Sequence, residues 1–243
     1  MVTISRSLAF IAALSGAATV SAAALADTAP ACSLSDATVH RLQAQLAVVV
    51  NLSDHNGSLF GASNTMWSAI VDRTGTLCSI IKIGDAWPGS RAIAIAKAST
   101  ANDFSNDRLA LSTANLYAPT QPGGSLYGLN NSNPLNPAYL PQGSGVGQVP
   151  GGIITFGGGV ALYANGHVIG GLGVSGDSSC SDHAVAFRMR ELSGYDKVVG
   201  GVAPDGTDNI IYADSGTAPT GFEQPHCFPS DLTPAQVEAI PSH

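Results

Sequence analysis

The dipeptide Asn165-Gly166 sits between two alternating apolar runs in "VALYANGHVIGGLGVSG", residues 160–176. Two residues of this type between two such runs specify a tight hairpin turn, so the flanking strands must be antiparallel neighbours. That constraint governs the glycines that follow. Gly171-x-Gly173-x-x-Gly176 satisfies the dinucleotide-binding pattern, and Asp196 lies about twenty residues on, where a ribose-binding acid is expected. A dinucleotide fold, however, needs its glycine turn after a strand of a parallel sheet, with the acid at the end of the second strand. Here the strand is tied to its predecessor by a hairpin, and Asp196 precedes the apolar stretch "KVVGGV". No nucleotide cofactor is expected. Gly170, Gly171 and Gly173 instead mark a strand against which something large packs closely. Gly176 turns the chain and leaves the first amides of the next helix to an anion or to a capping carboxylate, for which Asp177, Ser179 and Asp182 are at hand.

Upstream, Ser35 to Asn51 reads as a helix: Ser35 caps it, and Val39, Leu42, Leu46 and Val49 recur at spacings of three and four. "MWSAIVD" (66–72) and "TLCSIIKI" (76–83), joined by Arg73-Thr74-Gly75, give a second hairpin. Ser90 is placed as the N-cap of "RAIAIAKASTANDF", a helix with one polar and one apolar flank. Residues 117–150 have no periodic pattern and are rich in Pro, Gly and Asn. Such long loops are uncommon inside a compact domain, and Tyr117, Tyr127, Tyr139 and the leucines argue that this one packs onto the body. A further helix runs from about Ser181, with Val185, Met189 and Leu192 on one stripe. A possible strand at "NIIYA" (209–213) leads to the tail around Cys227.

Export is the expected fate of the chain. Arg6 precedes an apolar, small-residue run that ends at Ala24-x-Ala26, the form of a secretory signal peptide, with cleavage expected after Ala26. No later stretch approaches the roughly 20 apolar residues of a membrane span. The mature product, residues 27–243, is expected as one domain in the periplasm or secreted. With 11% charged residues, a net charge of -7 and no basic run, nucleic acid is not an expected partner. All four cysteines (Cys32, Cys78, Cys180 and Cys227) follow the leader. An even count in an oxidising compartment points to two disulfides, and the absence of C-x-x-C argues against zinc-ribbon, thioredoxin or covalent haem motifs.

Taken together, "MWSAIVDRTGTL", "IAIAKASTANDF" and "GGGVALYANGHVIGGLGVSGD" with its polar turn and helix resemble the GlcG/HbpS-like proteins, over about residues 38–193. The resemblance implies an α+β, profilin-like fold with a central antiparallel sheet flanked by helices, often assembled into homo-oligomers. It also implies a small-molecule ligand, with haem as the candidate cofactor, to be sequestered, sensed or slowly degraded. The alternative is a non-catalytic ligand-binding or assembly module of the same fold. An R-M-D-like sequence common in the family is replaced here by "IKIGDAWPGSRAIAIAKA", and the 117–150 loop is longer than in compact relatives. Within this frame the expected pairings are Cys180 with Cys227, pinning the tail to a helix start, and Cys32 with Cys78. The other two pairings remain open. A cross-link closing a loop of that length contributes roughly 4 kcal/mol in the chain-entropy model.

Haem needs an apolar slot, cations for its propionates and usually an axial donor. Lys97 occupies the K-A-x-T-A position that the resemblance singles out and is the first candidate for an anionic group; Arg91 lies six residues earlier on the same helix, so only one of the two faces a given pocket. The structural alternative for Lys97 is a surface or intersubunit salt bridge. Thr100 is a polar pocket residue or bonds its own backbone. His183, opening a helix beside the glycine turn, is a candidate donor or iron ligand, or simply a polar helix-start residue. Tyr117 and Trp87 are candidate pocket walls or packing anchors, and Gly173, Ser175 and Gly176 form a candidate pocket rim. Gly173-x-Ser175-Gly176-Asp177 is not the G-x-S-x-G elbow of hydrolases. Asp103 and Asp107 read as a solvated face, and the sequence displays no decisive catalytic set.

Overall fold

A computed structural model describes residues 31–58, 65–213 and 220–241. The expected leader and its cleavage site lie outside these residues. In chain order the elements are α1 (Asp36–Val49), β1 (Trp67–Asp72), β2 (Leu77–Lys82), α2 (Ser90–Asp103), the single turn α3 (Tyr117–Thr120), β3 (Gly159–Ala164), β4 (His167–Ser175), α4 (Ser179–Leu192) and the short α5 (Pro234–Glu238). The strands form one sheet of order β2-β1-β4-β3, antiparallel throughout. This is the α+β arrangement that the sequence implied, and it removes the parallel unit a dinucleotide turn requires.

Both hairpins are built by their turn residues. Asn165 (φ 53°) and Gly166 (φ 78°) both take the left-handed conformation that a two-residue turn demands. At the other turn, Asp72 Oδ1 accepts from the Thr74 and Thr76 amides at 2.9 and 3.1 Å and from the Thr74 hydroxyl at 2.7 Å. Asp72 is fully buried and its Oδ2 also accepts from the Ser33 amide at 2.7 Å. Burial pushes its carboxyl up, but the hydrogen bonds from Ser33, Thr74 and Thr76 win and hold it below the ordinary value.

Strand alternation sends Ile70, Val160, Leu162, Leu172 and Val174 to one face, where Leu42, Leu46 and Val49 of α1 and Val185 and Met189 of α4 close a continuous core. The opposite face carries Ala69, Val71, Ala161, Gly171 and Gly173, and α2 lies directly on it. A β-carbon on Gly171 would stand 2.1 Å from the Ala98 carbonyl oxygen, and one on Gly173 2.1 Å from that of Ala94. The large object packed against the glycines is therefore the backbone of α2 itself.

The structure departs from the sequence reading at several points. Ser90 is the first helical residue of α2 and Gly89 is the N-cap, with no side-chain cap bond. No polar flank survives on α2, since eleven of its fourteen residues are buried, Lys97 among them. The helix is covered on its outer side by the long loop. Residues 209–213 form no strand; Tyr212 makes only an isolated bridge to Gln224. Leu192 closes α4 but stays 42% exposed, outside the stripe of Val185 and Met189.

The 117–150 segment packs onto the body. Arg91, 2% exposed, donates to the carbonyls of Tyr139, Leu140 and Ser144 at 3.2, 2.6 and 2.6 Å. Leu77 of β2 pairs through both its backbone groups with Gly147 and Gln148. The two disulfides join Cys32 to Cys78 and Cys180 to Cys227. The first ties the start of α1 to β2, and the second fastens the C-terminal segment to the first turn of α4.

Candidate functional site

The glycine-rich end of β4 delivers the chain into α4, and most of the candidate residues gather there. Ser178 caps the helix, accepting from the Ser181 amide at 3.2 Å. Asp182 reaches back to accept from the amides of Gly176 and Asp177, both at 3.0 Å. Asp182 thus takes the amides of the turn that enters the helix, while the Cys180 amide in the first helical turn lies 3.2 Å from Cys227 Sγ, and Gly176 is held close by the Thr65 carbonyl, 2.4 Å from where its β-carbon would stand.

Lys97 completes the cluster from α2. Its Nζ donates to Asp182 Oδ2 at 2.6 Å and to the Val174 carbonyl at 3.1 Å, and it lies 5.0 Å from the centre of the Phe156 ring. Both charged side chains are buried, at 0 and 1% exposure. Burial pushes Asp182 up to about 6 against the pull of Lys97, and it draws Lys97 below the ordinary lysine value against the pull of Asp182. The lysine is committed to an internal partner, so it offers no charge to an outside anion. Thr100 is likewise engaged: its hydroxyl donates to the Ala96 carbonyl at 2.7 Å and accepts from the Ile154 amide at 2.9 Å.

His183 is fully buried one turn into α4. Its Nε2 lies 3.1 Å from the Ile210 amide and 3.3 Å from Asn209 Oδ1, and its Nδ1 has no partner among the described residues. Burial pulls its pKa down to about 4, so the ring is neutral at physiological pH. With one nitrogen bonded to backbone and the other enclosed, His183 holds the 209–210 segment and is closed to a ligand from solvent. Ser175 is 5% exposed and pairs with Trp67 across the sheet. Tyr117 starts α3, and Trp87, 60% exposed, accepts from the Trp67 indole N–H through its carbonyl at 2.9 Å. The structure therefore brings Lys97, Ser175, Gly176 and His183 to one end of α4. Arg91, Trp87 and Tyr117 stand elsewhere.

Two accessible grooves flank the edge strand β2. On one side of it, Val39, His40, Gln43 and Ala44 of α1 and Ser79 and Ile81 of β2 line a groove of about 320 Å³, predominantly apolar. The His40 imidazole is exposed at its rim, and Gln43 donates to the Ser68 carbonyl and the Ser79 hydroxyl while its Oε1 stays unpaired. On the other side, Trp67, Ile80, Lys82 and Arg91 line a second groove of about 300 Å³ together with Gln142, Gly143, Ser144 and Val146, with Lys82 Nζ 5.9 Å from the Trp67 ring centre. The sequence reading missed His40. Its signal was the i, i+3, i+4 placement of His40, Gln43 and Ala44 on one helix face.

An antiparallel sheet with α2 bedded on one face and α1 and α4 on the other defines the chain as a GlcG/HbpS-like α+β sandwich. Residues 61–190 match the model of the family described as haem degrading protein HbpS-like, and the chain belongs to that family. Among curated proteins it is similar to the corrinoid adenosyltransferase PduO of Citrobacter freundii, 35% identical over 120 residues, which are 49% of this chain and 29% of that protein. The chain thus spans less than a third of the length of that relative. It is also 32% identical over 118 residues to an uncharacterized 15.0 kDa protein from the dhaT-dhaS intergenic region of C. freundii, across 49% of this chain and 68% of that one. Among solved structures, the PduOC:heme complex is 30% identical, with a TM-score of 0.47, over 65% of this chain and 94% of that one.

Proposed function

We propose that this chain is an exported haem-binding protein, and that it takes the tetrapyrrole in the groove between α1 and β2. Membership of the HbpS-like family carries the reading, and the complex of the related PduOC with haem supports it. The groove meets two of haem's needs: Val39, Ala44 and Ile81 would supply apolar walls, and exposed His40 would supply a nitrogen donor for the iron. The cluster at the start of α4 does not fit, because Lys97, Asp182 and His183 are enclosed and mutually satisfied at their reachable atoms. Bound haem supplies a redox-active iron. Val39, Ala44 and Ile81 would hold such a group by apolar contact and His40 would bind it through its imidazole. Two disulfides and the N-terminal leader pattern support export.

A hemin titration of the full mature chain with its disulfides intact tests this. A saturable one-to-one shift of the Soret band is expected, with affinity reduced at least ten-fold in His40→Ala and unchanged in His183→Ala variants that remain folded. A response that never saturates, or one insensitive to His40, refutes the assignment.

A further inference from the structure

The two disulfides differ in what surrounds their sulfurs. Cys32 and Cys78 are half-buried; Cys32 Sγ faces the Leu34 carbonyl at 3.7 Å and Cys78 Sγ the Thr76 carbonyl at 3.5 Å. Among the described residues no N–H or O–H donor reaches either of them. The other bond is ringed by donors. The Cys180 amide donates to Cys227 Sγ at 3.2 Å. Gln224 Nε2 donates to Cys180 Sγ at 3.3 Å, to the Ser179 hydroxyl oxygen at 3.0 Å, and stands 3.8 Å from Cys227 Sγ. Gln224 is 2% exposed, and its Oε1 accepts from the Gly157 amide at 2.7 Å, which turns the Nε2 end toward the sulfurs. Ser179 Oγ lies 3.3 Å from Cys227 Sγ and, accepting from Gln224, has its own proton to give to that sulfur.

Sulfur in a disulfide is a weak acceptor, whereas a thiolate gains from every donor aimed at it, since hydrogen bonds to an ionised group are about twice as strong as neutral ones. Cys180 also lies in the first turn of α4, where the peptide dipoles favour negative charge and a cysteine thiolate in particular. A carboxylate oxygen comes within 4.8 Å of the sulfurs at both bonds, from Asp72 at one and Asp231 at the other. That opposing charge is common to the two, so the donors tell them apart. Asp231 Oδ2 is engaged by the Cys227 and Phe228 amides at 2.6 and 3.0 Å and lies 3.4 Å from His226 Nδ1, and Asp182 in the same helical turn is paired with Lys97. Cys180 is 4% exposed, but Cys227 is half-buried and lines a pocket of about 470 Å³ with His226, Phe228 and Pro229. We propose that Cys180–Cys227 is a reactive disulfide that a small-molecule thiol attacks at Cys227, while Cys32–Cys78 is purely structural.

The exchange has two steps. A thiolate arriving through the pocket forms a bond to Cys227 Sγ; the Cys180–Cys227 bond breaks, and its electron pair leaves on Cys180 Sγ, which Gln224 Nε2 and the helix start receive. A second thiolate then attacks the sulfur of the first. The two thiols depart joined as a disulfide, and Cys227 leaves as a thiolate beside the Ser179 hydroxyl and takes up a proton. Two thiols are oxidised and one protein disulfide is reduced. The C-terminal segment keeps its place when the bond opens: Gln224 pairs with Ile211 and Ala213 through its backbone, and Arg188 still holds the Gln236 and Val237 carbonyls.

The test exposes the full oxidised chain to glutathione, quenches it with an alkylating agent at intervals, and maps each cysteine by peptide mass. Cys180–Cys227 is expected to open at least ten-fold faster than Cys32–Cys78, with the glutathione adduct on Cys227. Gln224→Glu keeps an acceptor for the Gly157 amide and removes the donor. It should slow opening at least ten-fold and move the pH midpoint of the reduced protein's ultraviolet thiolate absorbance upward, which a merely structural role would not do. Ser179→Ala, the milder change, should let the Cys227 adduct accumulate by slowing the second step. Equal opening rates for the two bonds, an adduct on Cys180, or an unchanged rate and midpoint in folded Gln224→Glu overturns the proposal. None of these readouts depends on haem.

Discussion

Replacing Lys97 by Met separates a structural lysine from a ligand-binding one. Methionine approximates the length of the side chain and removes its charge, leaving Asp182 a carboxylate of 1% exposure with only the Gly176 and Asp177 amides as donors. Removing one member of a buried ion pair costs about 3–5 kcal/mol, because the survivor keeps its desolvation penalty without its partner. For a chain of this size the urea dependence is about 2 kcal/mol per molar, so the unfolding midpoint should fall by roughly 2 M. The sign of the pH dependence follows from Asp182. Its folded pKa, already raised to about 6, rises further without Lys97. A carboxyl raised in the folded state keeps its contribution below its unfolded value near 3.8 and loses it as pH climbs through the folded one. The gap between Lys97→Met and the parent should therefore narrow on going from pH 7 to pH 5. Adding Asp182→Asn to the variant should recover most of the loss, since exchanging both members of a buried pair is often close to neutral. Equilibrium urea unfolding of the oxidised protein measures all three quantities. A cost below about 1 kcal/mol, or a double variant no more stable than the single one, refutes the claim that Lys97 acts as a buried pair partner.

Two further outcomes follow from the packing. Gly173→Ala forces a methyl group to within 2.1 Å of the Ala94 carbonyl and 2.5 Å of the Ala98 amide; overpacking of this kind costs about 1–3 kcal/mol, read as a melting point lowered by several degrees. Arg188 binds Asp54 through both carboxylate oxygens, at 2.9 and 2.7 Å, and also reaches Asn56 and the Gln236 and Val237 carbonyls. Burial pushes Asp54 up, but the Arg188 hydrogen bond and charge and the Asn56 amide outweigh it and hold the carboxyl below 3.8. That contribution is present above the unfolded value and is lost as pH falls through the folded one, so Asp54→Asn should lower stability at pH 7 and shrink the loss measured between pH 4 and pH 2.

The hairpins, α1, α2 and α4 were legible because each rests on local chemistry: Asn165-Gly166, the Ser35 cap and the apolar spacings act within a few residues. The glycines were legible as a demand for close approach, though not as to what approaches, which is a matter of tertiary packing. The polar residues were the hardest. Lys97 and His183 look like ligand groups in sequence because nothing nearby in the chain satisfies them. Their partners, Asp182 at a separation of 85 and the Ile210 amide at 27, appear only once α2 and α4 are laid on the sheet. Arg188 and Arg190 were overlooked for the same reason, since their acceptors Asp54 and Asp208 belong to segments with no regular pattern. His40 was passed over because an exposed histidine on an amphipathic helix is unremarkable until the groove beside β2 is seen.

The two margins of the sheet are finished differently. Along β3 the outward groups are taken up: the Gly159 carbonyl accepts from the Thr113 amide, the Ala161 carbonyl from Arg190, and the Tyr163 amide donates to the Tyr195 carbonyl. Along β2 only Leu77 is occupied in this way, by the 147–148 segment, and among the described residues the stretch beyond it meets none. Extension of this sheet by another strand can therefore proceed from one margin alone. Should two copies pair through β2, each would use up its single open margin on the other, and the assembly would close as a two-fold pair with no end left for a third. The finished margin at β3 means that strand addition can double this sheet but cannot extend it further.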